Sequence, residues 1–217
     1  TTEIYTLSLH DALPICSCRP VEVWSPKELA RQVAYVPQLH RMAFAYRVLD
    51  VVLMGRMVHS GLFGRMRGED EAAAREALER LDIGHLAAKS YAEISGGERQ
   101  LTLIARALAQ GAKTLVMDEP LNGLDYGNQL RVLERITHLA AEGYAVLKTT
   151  HFPDHALWMA SKVALLRQGR IAACGPPAEV MTSRMLSELY QADIRLAPVS
   201  PELRVCLPQL PDRKSVV

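Results

Sequence analysis

The sequence predicts an α/β fold: a mostly parallel sheet with helices on both faces, carrying an α-helical insertion. Three observations predict it. The chain has 217 residues, 49% of them hydrophobic and 23% charged, enough to bury a sizeable core in one domain and too apolar for extended disorder. Short apolar runs alternate with longer amphipathic ones along residues 32–149, the pattern of strands laid parallel by crossover helices. Between the first two of those runs the apolar period becomes helical, which marks the insertion.

Taken in order, Ser25 and Pro26 pair a good N-cap with a first-turn proline, so a short helix opens there. Residues 32–37 then form a brief apolar strand that ends at Gln38. Over residues 46–81 Leu49, Val52 and Leu53 follow one helical face, and an acidic-start amphipathic helix covers 72–81. The double glycine within 94–100 ends the insertion, and a long helix over 98–110 follows it. Residues 114–117 read as a fully buried strand, being apolar, short and bounded by Gly111 and Asp118. A helix over 131–142 and a strand over 144–149 come next. Two apolar runs flanking Gln168 and Gly169 within 162–173 predict a hairpin near the sheet edge. Residues 177–190 close the domain with one helix, proline in its first turn, and the Pro-rich remainder reads as an extended strap.

A formal net charge of +1 and a pI near 7.7 show no polyanion-binding bias, so nucleic acid is not the expected partner. No window holds the 18 or so apolar residues that span a bilayer; even residues 48–54 are broken by Asp50 and followed by Gly55 and Arg56. The four cysteines, Cys16, Cys18, Cys174 and Cys206, are too scattered for a disulfide framework or paired zinc ligands and fit a reducing compartment. Residues 1–15 lack the basic start of a signal peptide and fit no element. Residues 2–15 resemble translated sequencing-adapter sequence, as do 212–217, so 1–18 and 212–217 are expected to be non-native, around a domain at 19–199 and a tail at 200–217.

Four clusters carry chemistry. In Ser95, Gly96, Gly97, Glu98 and Arg99 two glycines let the backbone approach a ligand, and the helix behind them aims unpaired N–H groups and a positive dipole end at an anion such as phosphate. An ordinary helix capped by Ser95 has the same local pattern. Asp118 and Glu119 end an apolar strand, where one carboxylate can hold a hydrated Mg²⁺ and its neighbour can polarise an attacking water; Asp-Glu-Pro is also a plain loop entry. Leu124-Asp125 follows, and after one more helix and strand comes Thr149-Thr150-His151. A strand-end histidine there can donate a hydrogen bond to a transferring phosphoryl group.

Together these segments resemble the nucleotide-binding domains of ABC transporters. Tyr35-Val36-Pro37-Gln38 matches the Q-loop, residues 94–100 the signature, 115–119 the Walker B strand, 122–125 the D-loop, and His151 the switch histidine. All occur in the family's order, and the similarity covers about residues 19–199. The resemblance implies a P-loop NTPase-like fold with an α-helical subdomain at about 44–96, and ATP and Mg²⁺ as ligands. It implies a head-to-tail homodimer in which each ATP lies between one subunit's Walker A loop and the other's signature. On this reading Ser95, Gly96, Gly97 and Glu98 complete the partner's ATP site and Asp125 adjoins it. Asp118 and Gln38 organise Mg²⁺ and water, Glu119 is the general base, and His151 contacts the γ-phosphate. Residues 48–67 would dock onto a transmembrane permease, making the chain a peripheral subunit on the cytoplasmic side of the membrane. Residues 31–38, 54–66, 126–129 and 151–156 most resemble importer subunits for iron chelates, haem, cobalamin or molybdate.

Two departures stand out. Glu98 occupies a place where many relatives carry Gln. More consequential, the phosphate loop G-x-x-x-x-G-K-[ST] is absent: Lys89, Lys113, Lys148 and Lys214 each precede Ser or Thr, and none follows a glycine. The expectation is a domain missing its N-terminal strands and phosphate loop, unable to hydrolyse ATP by itself. Two alternatives are weighed: a non-enzymatic half-domain completing a partner's ATP site, and a DNA-repair or chromosome ATPase head, whose coiled coils would have to fit between Gln38 and Ser95.

Overall fold

The computed structural model describes residues 3–8, 15–16, 19–38, 45–60, 66–200 and 203–209. In chain order these form β1 (Glu3–Ser8), β2 (Ile15–Cys16), β3 (Arg19–Pro20), α1 (Pro26–Gln32), β4 (Val33–Val36), α2 (Val48–Leu53), α3 (Met57–Ser60), α4 (Gly68–Arg80) and α5 (Gly96–Ala109). There follow β5 (Thr114–Met117), α6 (Tyr126–Ala141), β6 (Ala145–Thr150), α7 (Pro153–Met159), β7 (Lys162–Arg167), β8 (Arg170–Gly175), α8 (Pro177–Val180), α9 (Ser183–Tyr190), β9 (Ile194–Pro198) and β10 (Arg204–Pro208). They fall into two compact units: residues 10–147, and residues 1–9 with 148–217.

In the larger unit β4 and β5 run parallel, Val33 opposite Thr114 and Val36 opposite Met117, and β6 begins beside β5 with the Ala145 N–H donating to the Lys113 carbonyl at 2.9 Å. Capping explains where the helices start. Ser25 and Glu28 form a reciprocal capping box at α1, as Ser95 and Glu98 do at α5. Most of α5 is buried, including Leu103, Ile104, Ala105 and Ala107. Beside it Gly55 lies so near that a Cβ there would sit 2.2 Å from the Arg106 carbonyl oxygen. Arg56 ties the insertion together, its Nε donating to Asp70 at 3.0 Å and its guanidinium to the Ala109 carbonyl at 2.9 Å. The Gln110 amide, just past α5, donates to the carbonyls of Ala30 and Val33. Through it the signature helix is joined to the strand that leads to Gln38.

In the smaller unit the strands lie in the order β6, β1, β7, β8. β7 and β8 form the expected hairpin, and Gln168 and Gly169 both take positive φ, 50° and 74°, as a two-residue turn of this hand requires. Its core gathers Ala156, Val163, Leu165, Met181, Leu186 and Leu189.

Several expectations need correction. β5 is not fully buried: Leu115 and Met117 are, while Thr114 and Val116 are half-buried, because alternate side chains of a strand face opposite sides. α6 begins at Tyr126, ahead of the expected 131, since Asp125 caps it by accepting from the Asn128 N–H. One helix over 177–190 is in fact two, α8 and α9, broken at Met181 and restarted by Thr182, whose hydroxyl accepts from the Met185 N–H. The strap is a hairpin of β9 and β10, Leu196 opposite Cys206. Residues 1–15 do hold an element: β1 runs antiparallel to β7 with Ile4 opposite Leu165, a strand defined by its ladder partner rather than by its own pattern. Cys18, residues 61–65 of the 48–67 docking segment and residues 212–217 lie outside the described residues.

Candidate functional site

The parallel register of β4 and β5 decides what meets at their C-terminal ends. The Asp118 N–H donates to the Val36 carbonyl at 2.9 Å, so the ladder carries one step beyond the strands and the two chain exits, Pro37-Gln38 and Asp118-Glu119, leave side by side. There Gln38 Nε2 donates to Glu119 Oε2 at 2.9 Å. Asn122 Nδ2 donates to the same oxygen at 3.0 Å. Two amide donors on one carboxylate oxygen fix the orientation of the group. Glu119 also has φ +39°, a left-handed conformation that strains a side-chain-bearing residue. Strain of this kind persists where surrounding contacts over-determine it, and it clusters at functional sites.

Asp118 accepts from the Tyr35 hydroxyl at 3.3 Å. Partial burial, with Asp118 as second cause, raises the phenol above its ordinary range. Tyr35 therefore keeps its proton and can only donate to the carboxylate. The donor chemistry suits a hard, hydrated cation: a carboxylate at Asp118, and at Gln38 an amide whose nitrogen faces Glu119, leaving Oε1 as the edge able to ligate.

The signature turn and the D-loop form a second constellation in the same unit. Ser95 N–H donates to Glu98 at 2.7 Å and Ser95 Oγ accepts from the Glu98 N–H at 3.3 Å. The Ser95 hydrogen bonds hold the Glu98 carboxyl below its ordinary range. Of the two glycines, Gly96 is exposed and Gly97 is buried. A Cβ on Gly97 would lie 2.5 Å from Asn128 Oδ1, and Asn128 is itself held by Asp125, its N–H donating to Oδ1 at 3.0 Å and its Nδ2 to Oδ2 at 2.5 Å. Those bonds, the backbone one foremost, lower the Asp125 carboxyl. The two helix N-termini, of α5 and α6, thus interlock at Gly97 and Asn128.

His151 belongs to the smaller unit, one residue past β6. Its ring packs tilted against Phe152, centroids 4.2 Å apart and planes at 38°, at the head of a run continuing through His155 to Trp158. His155 is buried; that burial, then Lys148 and His151, push its pKa down to about 4. Lys148 lies inside β6, and burial pushes its ammonium down to about 8. Sequence reasoning brought Gln38, Asp118 and Glu119 to one place, as observed. Tyr35 and Asn122 as partners of these carboxylates, and Asn128, are not among the expectations. The Asx spacing of Asp125 and Asn128 was the available signal for the last.

Among the described residues no helix is long and apolar enough to cross a membrane. The ABC transporter family profile matches residues 15–122. An uncharacterised ABC transporter ATP-binding protein of Haemophilus influenzae is 42% identical over 180 residues, 83% of this chain and 66% of that protein. The hemin import ATP-binding protein HmuV of Streptomyces coelicolor is 42% identical over 83% of this chain and 64% of its own length, so the chain spans just under two thirds of these relatives. A solved inward-facing structure of a metal-chelate type ABC transporter matches with a TM-score of 0.77 at 34% identity, covering 82% of this chain and 72% of that one.

Proposed function

The chain belongs to the ABC transporter ATP-binding family, and on that premise we propose that it is the ATP-hydrolysing subunit of an importer for an iron chelate, haem, cobalamin or molybdate. The observation that carries this reading is the Gln38, Glu119 and Asn122 cluster at the ends of parallel β4 and β5. It fixes the orientation of one carboxylate on a strained backbone, as a general base for an attacking water requires. Asp118 and the Gln38 amide oxygen would hold Mg²⁺, which when bound neutralises charge on the phosphates. Ser95, Gly96, Gly97 and Glu98 would complete an ATP site on a second, head-to-tail copy, with Asp125 beside it. His151 would donate to the γ-phosphate. Residues 48–67 would meet a membrane permease, placing the subunit at the cytoplasmic face.

Without backbone amides of a phosphate loop to cradle the triphosphate, the chain is expected to turn over no ATP alone. The test joins it behind the phosphate-loop segment of the hemin import relative and measures turnover. Glu119→Gln in that hybrid should lower kcat by about 10²- to 10⁴-fold and trap an ATP-bound dimer. A hybrid indifferent to the change removes Glu119 from the role of base.

A further inference from the structure

His151 sits in the turn between β6 and α7, and the C-terminal end of the unit reaches this turn with two hydrogen bonds. Phe152, the N-cap of α7, makes no side-chain capping bond, and Pro153 offers no N–H. Within the turn the Phe152 N–H donates to Thr150 Oγ1 at 3.1 Å. Two further restraints come from the C-terminal end of the unit. Tyr190, the last residue of α9, donates its hydroxyl to the His151 carbonyl at 2.8 Å. Cys206 in β10 donates its N–H to Asp154 Oδ1, in the first turn of α7, at 2.8 Å.

These two donors belong to one rigid plate. Ser187 of α9 bonds both the N–H and the carbonyl of Ile194, and Ser183 Oγ accepts from the Leu196 N–H at 2.9 Å. Serines of the helix therefore staple it to β9, while β10 pairs with β9. Leu186 and Leu189 seat the plate in the core, with Tyr190, Ile194, Leu196 and Cys206 packed around it. Burial raises the Tyr190 phenol above its ordinary range, with Cys206 and Asp154 as lesser causes. It keeps its proton at every working pH and stays a donor.

We propose that Tyr190 is a positioning residue for the switch histidine: the plate of α9, β9 and β10 fixes the backbone of the His151 turn, and so sets the angle at which the imidazole is presented. This rests on the γ-phosphate role given to His151 above. The hydroxyl bonds the carbonyl rather than the ring, so Tyr190 holds the main chain without itself occupying a ring nitrogen. A neutral hydrogen bond of this kind, when lost, opens a local segment by about 2- to 10-fold.

Tyr190→Phe removes the hydroxyl and leaves the ring in its packing. In the chain as it stands, amide hydrogen exchange over residues 151–156 should speed up by that factor, with exchange in β7 unchanged. In the phosphate-loop hybrid, kcat should fall by a similar factor at constant KM for ATP, and His151→Ala combined with Tyr190→Phe should be no slower than His151→Ala alone. Unchanged exchange overturns the anchor. Faster exchange with unchanged kcat, where His151→Ala abolishes turnover, leaves Tyr190 a structural residue and overturns the positioning claim. If His151→Ala itself leaves turnover intact, the histidine's assigned role fails and the claim with it; that failure is told apart because the exchange measurement needs no turnover.

Discussion

Gly97→Ala tests whether the buried signature glycine answers to Asn128. The added Cβ would stand 2.5 Å from Asn128 Oδ1, 2.7 Å from its Cγ and 3.0 Å from its Cβ, so the nearest pair must open by roughly 1 Å to reach ordinary contact. Rotation of Asn128 relieves only the outer atoms and gives up its Nδ2 bond to the exposed Asp125 carboxylate, while leaving it in place overpacks the site at a cost of about 1–3 kcal/mol. The alternative is to part the N-termini of α5 and α6. Against this, alanine gains at most about 1 kcal/mol over glycine within a helix. The net expectation is a loss of about 1–2 kcal/mol, or a Tm lower by about 2–8 °C for a domain of this size. Gly96→Ala is the control, since its Cβ would meet only the tip of the Leu124 side chain, at 3.3 Å, and its Tm should stay within about 2 °C. Asn128→Ala combined with Gly97→Ala should be more stable than the sum of the single changes by about 1 kcal/mol in a double-mutant cycle. Equal stability of the two glycine variants, or strict additivity in the cycle, refutes the interlock and returns Gly97 to a role in ligand approach alone.

Two further outcomes follow from burial. Gly55→Ala would drive a methyl into the main chain of α5, 2.2 Å from the Arg106 oxygen and 3.3 Å from the Gln110 nitrogen; with no side chain able to yield, chemical denaturation should show at least about 3 kcal/mol lost, and a wild-type midpoint would contradict the packing. His155, its pKa held at about 4 by burial foremost, takes up its proton in the unfolded chain near 6.5 but not in the folded one, so stability should fall as pH drops through that window and level off below about 4. The loss reaches about 2 kcal/mol by pH 5. Urea midpoints at pH 7.5 and 5.0 should therefore converge for His155→Phe relative to wild type, and equal pH slopes would show that the imidazole charges freely in the fold.

How much of this could be read in the chain depends on the range of the interaction. The capping boxes at Ser25 and Ser95, the Gln168-Gly169 turn and the strand leading to Gln38 are local, and each was legible from three or four consecutive residues. The carboxylate pair and Gln38 were legible as a constellation because parallel strands put successive C-terminal ends on one edge. The partners that orient those groups were not. Tyr35 lies 83 residues from Asp118, and Tyr190 lies 39 from His151; nothing in the local composition of either points across that gap. The same holds for β1, whose strand exists through its pairing with β7, and for β9 and β10, whose prolines suggest an extended strap until the ladder between them is seen.

Glycine shows where the two kinds of information part. Gly96 and Gly97 look alike in sequence, and a phosphate cradle gives both the same reason to lack a side chain. Only burial separates them, Gly96 open and Gly97 closed against Asn128. The first answers to whatever approaches the helix N-terminus from outside; the second answers to a side chain that Asp125 holds in place. A perturbation at Asp125 must therefore reach the signature turn through Asn128. The D-loop and the signature then act as one piece, while Gln38, Asp118 and Glu119 form another, joined to it along α5 by the Gln110 amide.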